Sequence, residues 1–158
     1  MHKRLVSRRE IGIEIFELAN GNALLEARFL DPFHLISLNL EVDPRTRRIV
    51  QASSEMPERP YSSCPDVCGL AGRLVGMEIK KGIMREVARL IGGAKGCVHL
   101  RELITEAINF CATALVGYEH GFGLMSPNFN RLPEQERFEL SKTLLRNTCY
   151  AYSSSKDV

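Results

Sequence analysis

Several things are missing from this sequence, and each absence excludes a class of protein. No apolar run approaches the roughly 20 residues that span a bilayer, so no transmembrane helix is expected. Neither sign of charge prevails: 21 Lys and Arg stand against 19 Asp and Glu, a net charge of +2. Such a balance makes no strong field, and it argues against nucleic acid as a partner. The nucleotide-binding patterns G-x-x-x-x-G-K-[ST] and G-x-G-x-x-G after a strand are absent, as are the G-x-S-x-G elbow and H-E-x-x-H. A nucleotide enzyme, a serine hydrolase and a zincin are therefore unsupported. There is no internal repeat and no low-complexity block. The first ten residues, MHKRLVSRRE, are basic, but Glu10, Glu14 and Glu17 break what would be a signal-peptide core. A cytoplasmic protein is expected. Its five cysteines are an odd number, so reduced thiols rather than a disulfide framework are the default.

What is present is an ordinary globular composition, 44% hydrophobic and 25% charged over 158 residues, enough for one domain with a real core. The expected organisation is a basic segment over 1–10, a single α+β domain over 11–150 and a flexible tail over 151–158. Residues 11–18, 23–31, 33–43 and about 47–55 read as strands. The third is the clearest, with Ile36, Leu38, Leu40 and Val42 alternating with Ser37, Asn39 and Glu41. Asn20-Gly21-Asn22 and Asp43-Pro44-Arg45-Thr46 read as turns, so the strands form an antiparallel sheet. After the proline-rich MPERPYSSCP, helices are expected at about 65–75, 78–91, 99–116 and 133–148. The fold class is α+β: three to four N-terminal strands with about four helices packed on one face.

Chemistry gathers in two places. Cys64 precedes Pro65 at one helix entrance, and Cys97 and His99 lie at another in Gly96-Cys-Val-His-Leu-Arg-Glu-Leu103. Free amide hydrogens and the positive end of the helix dipole favour thiolate there. Cys97 and His99 can share a ligand only if Cys97 precedes the helix, and Gly96 supplies backbone freedom for that. Cys64 and Cys68, four apart, share a face if Cys64 joins its helix. Together these groups offer enough soft ligands for tetrahedral zinc or a cluster. Plainer roles stand beside these. Cys111 reads as core filling and Cys149 as packing, while Cys68 reads as core before ligand. His99 could cap its helix, and Glu102 is either a general base or a surface glutamate. On its own His34 reads as structural and His120 as exposed. The basic clusters at Lys3–Arg9 and Arg45–Arg48 read as solvated faces, with phosphate binding as the alternative.

Pro60-Tyr-Ser-Ser-Cys64, Leu74-Val-Gly76, Gly92-Gly93, Gly96–Leu103 and the strand His34–Asp43 resemble a bacterial domain-of-unknown-function family, number twenty-eight eighty-nine. The resemblance runs from about residue 30 to 116. It puts His34, Asp43, Cys64, Cys97, His99 and Glu102 on the family's polar motif positions, with Val98 and Arg101 in place of its threonines. It implies kinship without a known activity. At the level of fold the chain also resembles SufE/NifU-type sulfur-acceptor and iron–sulfur scaffold proteins, although their ligand spacing is not reproduced.

The leading expectation is a site of Cys64, Cys97, His99 and His34 that binds a metal, zinc or an iron–sulfur cluster, or that carries sulfur. The alternatives are a thiol enzyme and a non-catalytic binding module. In the enzyme, Cys97 would be the nucleophile, His99 or His34 its base, and Cys64 a resolving group. A protein partner or a homodimer is the expected company, with no membrane.

Overall fold

The computed structural model describes residues 2–124, 127–142, 146 and 150–153. Cys149 and residues 154–158, read above as packing and as part of a tail, lie outside the described residues. Four strands come first: β1 (Glu10–Glu17), β2 (Ala23–Leu30), β3 (Leu35–Asp43) and β4 (Arg48–Glu58). They pair in chain order as one antiparallel sheet. Alternation explains the faces. Leu25, Leu40 and Ala52 line one cross-strand row, and Phe29 pairs with Ile36 in another. Ala23, Leu25, Ala27, Phe29, Ile36, Leu38, Leu40 and Val42 are all buried. Their neighbours Glu14, Glu26 and Asn39 point to the opposite, exposed face. A bulge between Leu35 and Ser37 lets Pro57 sit in the edge strand β4, where its missing N–H costs no ladder bond.

The buried face is covered by one long helix over β1–β3 and by the segment that follows β4 over β4 itself. After an eleven-residue 3-10 helix (Cys64–Leu74) come α1 (Ile83–Ile91), a single 3-10 turn (Gly93–Lys95), α2 (Val98–Glu119), α3 (Pro127–Arg131) and α4 (Glu134–Lys142). Along α2, Leu100, Leu103, Ile104, Ala107, Ile108, Cys111 and Leu115 recur at helical spacing and are fully buried. Each large one contributes about 1.5–3 kcal/mol of burial. Truncating Leu103 to alanine is therefore expected to cost about 2–5 kcal/mol.

Two helical expectations are corrected. The helix expected over 65–75 is a 3-10 helix over Cys64–Leu74, with Val75 already extended. Gly69 and Gly72 lower α propensity there, and the Cys68 carbonyl accepts a hydrogen bond from the Ser54 hydroxyl of β4 at 3.0 Å, tying the segment to the sheet. The helix expected from 78 begins only at Ile83. Before it, the chain adds to the edge of β4: Gly76 donates to Ile49, Ile49 to Met77, and Ile79 to Arg47. Gly82, with φ of 98°, then turns it into α1.

Candidate functional site

The site starts with a turn. Between β2 and β3, Asp31 Oδ1 accepts the backbone N–H of Phe33 and of His34, each at 2.8 Å. The same oxygen lies 3.0 Å from His34 Nδ1. Burial alone would raise the Asp31 pKa, but these hydrogen bonds and the His34 ring outweigh it and hold the carboxyl below its usual range. Asp31 is thus a carboxylate, which can only accept. Nδ1 of His34 must then carry a proton and donate it to Asp31, which turns Nε2 away from the carboxylate.

The second half comes from the entrance of α2. The chain leaves α1 through Gly92–Gly96 and doubles back so that the Cys97 N–H donates to the Ile91 carbonyl at 3.0 Å. Gly96 is required here by contact and not by dihedral freedom, which corrects the expectation. Its φ of −133° is open to any residue, but a Cβ would lie 1.8 Å from the Ile91 oxygen. Cys97 is the N-cap of α2 and makes no side-chain cap hydrogen bond, so it does precede the helix proper. His99, in the first turn, lands on the β2–β3 turn. Its ring centroid is 4.3 Å from that of His34 and 5.2 Å from that of Phe29. Among the described residues no hydrogen bond occupies either ring nitrogen of His99. Its pKa is lowered, first by burial and then by the charge of His34, with Asp31 and Glu102 opposing.

Ligand-type atoms of Asp31, His34 and His99 all lie within 4.8 Å of one another. Neither Cys64 nor Cys97 belongs to that group. Both thiols instead line, with His34 and His99, a single cleft of about 710 Å³. Cys64 is the first residue of the 3-10 helix, with Ser63 as N-cap. The four expected ligands therefore line one cleft, and its two imidazoles lie with their centroids 4.3 Å apart.

The remaining candidates fall elsewhere. Cys68 is outside the cleft lining. Burial raises its pKa, a hydrogen bond with Ser54 opposes this, and the Cys97 charge adds to it. Cys111 is buried in the core, which pushes its thiol up to about 12. His120 places Nδ1 2.9 Å from the Val116 carbonyl at the far end of α2. Glu102 lies 3.4 Å from Arg9. Asp43 sits at the other end of β3, holding Arg45 and Thr46.

Two participants had not been expected. Asp31 is one, and its signal is the run Asp31-Pro-Phe-His34, an aspartate three residues before a histidine. Arg9 is the other. Its guanidinium lies over the Phe29 ring at 4.9 Å and reaches Asp31 at 3.7 Å as well as Glu102. Nothing in the basic run at the start distinguishes Arg9 from its neighbours. These half-exposed ion pairs add little stability, but they close one side of the imidazole pair.

Fold and site together define an α+β protein with a histidine pair and two thiols in one cleft. The family described as "Protein of unknown function (DUF2889)" matches residues 7–113, and the chain belongs to it. The match begins well before residue 30 and takes in β1, β2 and Arg9. No curated protein and no solved structure matches the chain. No helix among the described residues is long and apolar enough to cross a membrane.

Proposed function

We propose that this protein binds a transition-metal ion, zinc or iron, between His34 and His99. The supporting observation is the convergence of Asp31, His34 and His99 within 4.8 Å. A zinc ion about 2.0–2.1 Å from each imidazole nitrogen needs those nitrogens about 3.4 Å apart along a tetrahedral edge, a spacing inside the 4.8 Å that bounds the three ligand atoms. Asp31 serves as the carboxylate that orients His34 and raises its basicity. Cys64 and Cys97 stand outside that group but line the same cleft, and they would complete a soft N2S2 donor set if their side chains turned inward on the ion. The lowered His99 pKa keeps that ring in its neutral, ligating form near pH 7. A sulfur-carrying or iron–sulfur role would use the same two thiols. Metal analysis of anaerobically purified protein tests the reading. Near-stoichiometric zinc or iron is expected, falling sharply in His99→Ala. Protein that stays metal-free after exposure to Zn²⁺ and Fe²⁺ would end it.

A second reading is a thiol enzyme, and the Asp31–His34 hydrogen bond favours it. A carboxylate on Nδ1 is how a general base is oriented toward a nucleophile. Here Cys97, lining the same cleft, would be that nucleophile. This reading expects Cys97 to react fastest with iodoacetamide near neutral pH and to slow in His34→Ala. Equal, slow labelling of every cleft thiol would remove it.

A further inference from the structure

We infer that the cleft binds a small organic molecule with a flat, uncharged apolar body, whose carbonyl or hydroxyl end meets the His34–His99 pair. The inference deepens the reading above and rests on it only for the polar end.

Size is the first argument. About 710 Å³ lies within the roughly 300–1,000 Å³ typical of small-molecule sites and far exceeds what an ion or a single sulfur atom fills. The second argument is the rim. Phe33, Tyr61 and Val98 line the cleft and are 67%, 71% and 56% exposed. They come from three separate segments: the β2–β3 turn, the loop after β4 and the first turn of α2. One exposed apolar side chain needs no explanation, but three around one opening form a patch that a ligand would cover. Two of them are rings, with Pro60 beside Tyr61, a surface suited to stacking on a flat molecule.

Charge is the third argument. Among the described residues, no Asp, Glu, Lys or Arg lines the cleft. The Asp31 carboxylate is spent on its own turn, on His34 and on Arg9. A phosphate would find no Lys or Arg in the lining, the nearby Arg9 being paired with Asp31 and Glu102, and a polyamine would find no carboxylate there. The lining residues that carry polar groups are His34, His99, Ser63, Tyr61 and the two cysteines. Imidazole N–H and hydroxyl groups recognise a carbonyl or hydroxyl without needing a formal charge.

The test titrates the full chain, isotopically labelled, with 2-naphthol, 2-naphthoate and phenyl phosphate. It follows the histidine ring and valine methyl resonances in metal-free and zinc-supplemented protein. Saturable shifts of Val98, His34 and His99 with 2-naphthol are expected, with weaker binding of both anions. Tyr61→Ala and Val98→Asp should each weaken 2-naphthol about tenfold, the loss of one good aromatic or apolar contact. An aspartate suits the first turn of α2, so Val98→Asp should melt like the parent. No saturable shift, tighter phenyl phosphate binding, or unchanged affinity in both variants overturns the inference. Zinc uptake without 2-naphthol binding removes this inference and leaves the metal site standing. 2-Naphthol binding by protein that takes up no metal does the reverse.

Discussion

Two Asp-Pro turns bracket β3, and they begin alike. Asp31 accepts the Phe33 N–H at 2.8 Å, and Asp43 accepts the Arg45 N–H at 3.0 Å. Each then holds a charged or chargeable side chain close by, His34 Nδ1 at 3.0 Å in one and Arg45 Nε at 2.9 Å in the other. Both carboxyls are held below their usual range. For Asp31, hydrogen bonds overcome the effect of burial; for Asp43, the Arg45 side chain leads and burial opposes. A lowered carboxyl pKa therefore does not distinguish a site from a turn. What differs is what packs above. The Asp31 and His34 side chains are 8% and 12% exposed beneath His99 and Arg9, whereas Arg45 is 64% exposed. Local hydrogen bonding makes a turn, and a second element laid over it makes a cleft.

The sharpest way to break this contrast is Gly96→Ala. With a Cβ placed 1.8 Å from the Ile91 oxygen, the loop must open and His99 must leave the first turn. A loss of about 3 kcal/mol in urea unfolding is expected, together with loss of metal uptake. His99→Ala comes next. It should fold normally and lower zinc affinity by more than the roughly 10–100-fold of an orienting residue, as read by competition with a chromophoric chelator. Asp31→Asn should show that 10–100-fold loss itself, whereas Asp43→Asn, at the matching turn, should leave zinc affinity unchanged. Equal effects from the two asparagine variants would erase the distinction between the turns.

The smallest expected effect is on acid stability. The His99 pKa is lowered in the folded state, so unfolding takes up protons below the ordinary histidine pKa of about 6.5. The stability contribution of His99 is complete above that pH and is lost as pH falls through the folded value. Urea midpoints of the metal-free protein measured between pH 7 and 5 should fall more steeply than those of His99→Ala. Parallel curves would show that His99 is not perturbed by its place beside His34.

Much of the fold was legible. Ile36, Leu38, Leu40 and Val42 announced β3 because strand side chains alternate between faces. Leu100 to Leu115 announced α2 because its buried positions repeat at helical spacing. The segments 65–75 and 78–82 were misread because their conformations answer to β4. Ser54 ties down the Cys68 carbonyl, and Arg47 and Ile49 take hydrogen-bond partners from Gly76–Ile79. The site was legible in part. Cys97 and His99 were marked by Gly96 and by their place at a helix entrance. Asp31 was passed over because its twin Asp43 has the same local pattern. Cys97 caps the helix that carries Cys111, and the apolar neighbours of Cys111 marked it correctly as core.

What these residues determine unaided is which side chains turn inward and where the chain reverses, since both follow from backbone geometry over a few positions. Tertiary structure alone decided that His99 meets His34, that Arg9 closes one side, and that Cys64 and Cys97 face a common space. Those meetings depend on where α2 lies across β2 and β3, and that is set by the packing of whole faces rather than by any spacing along the chain.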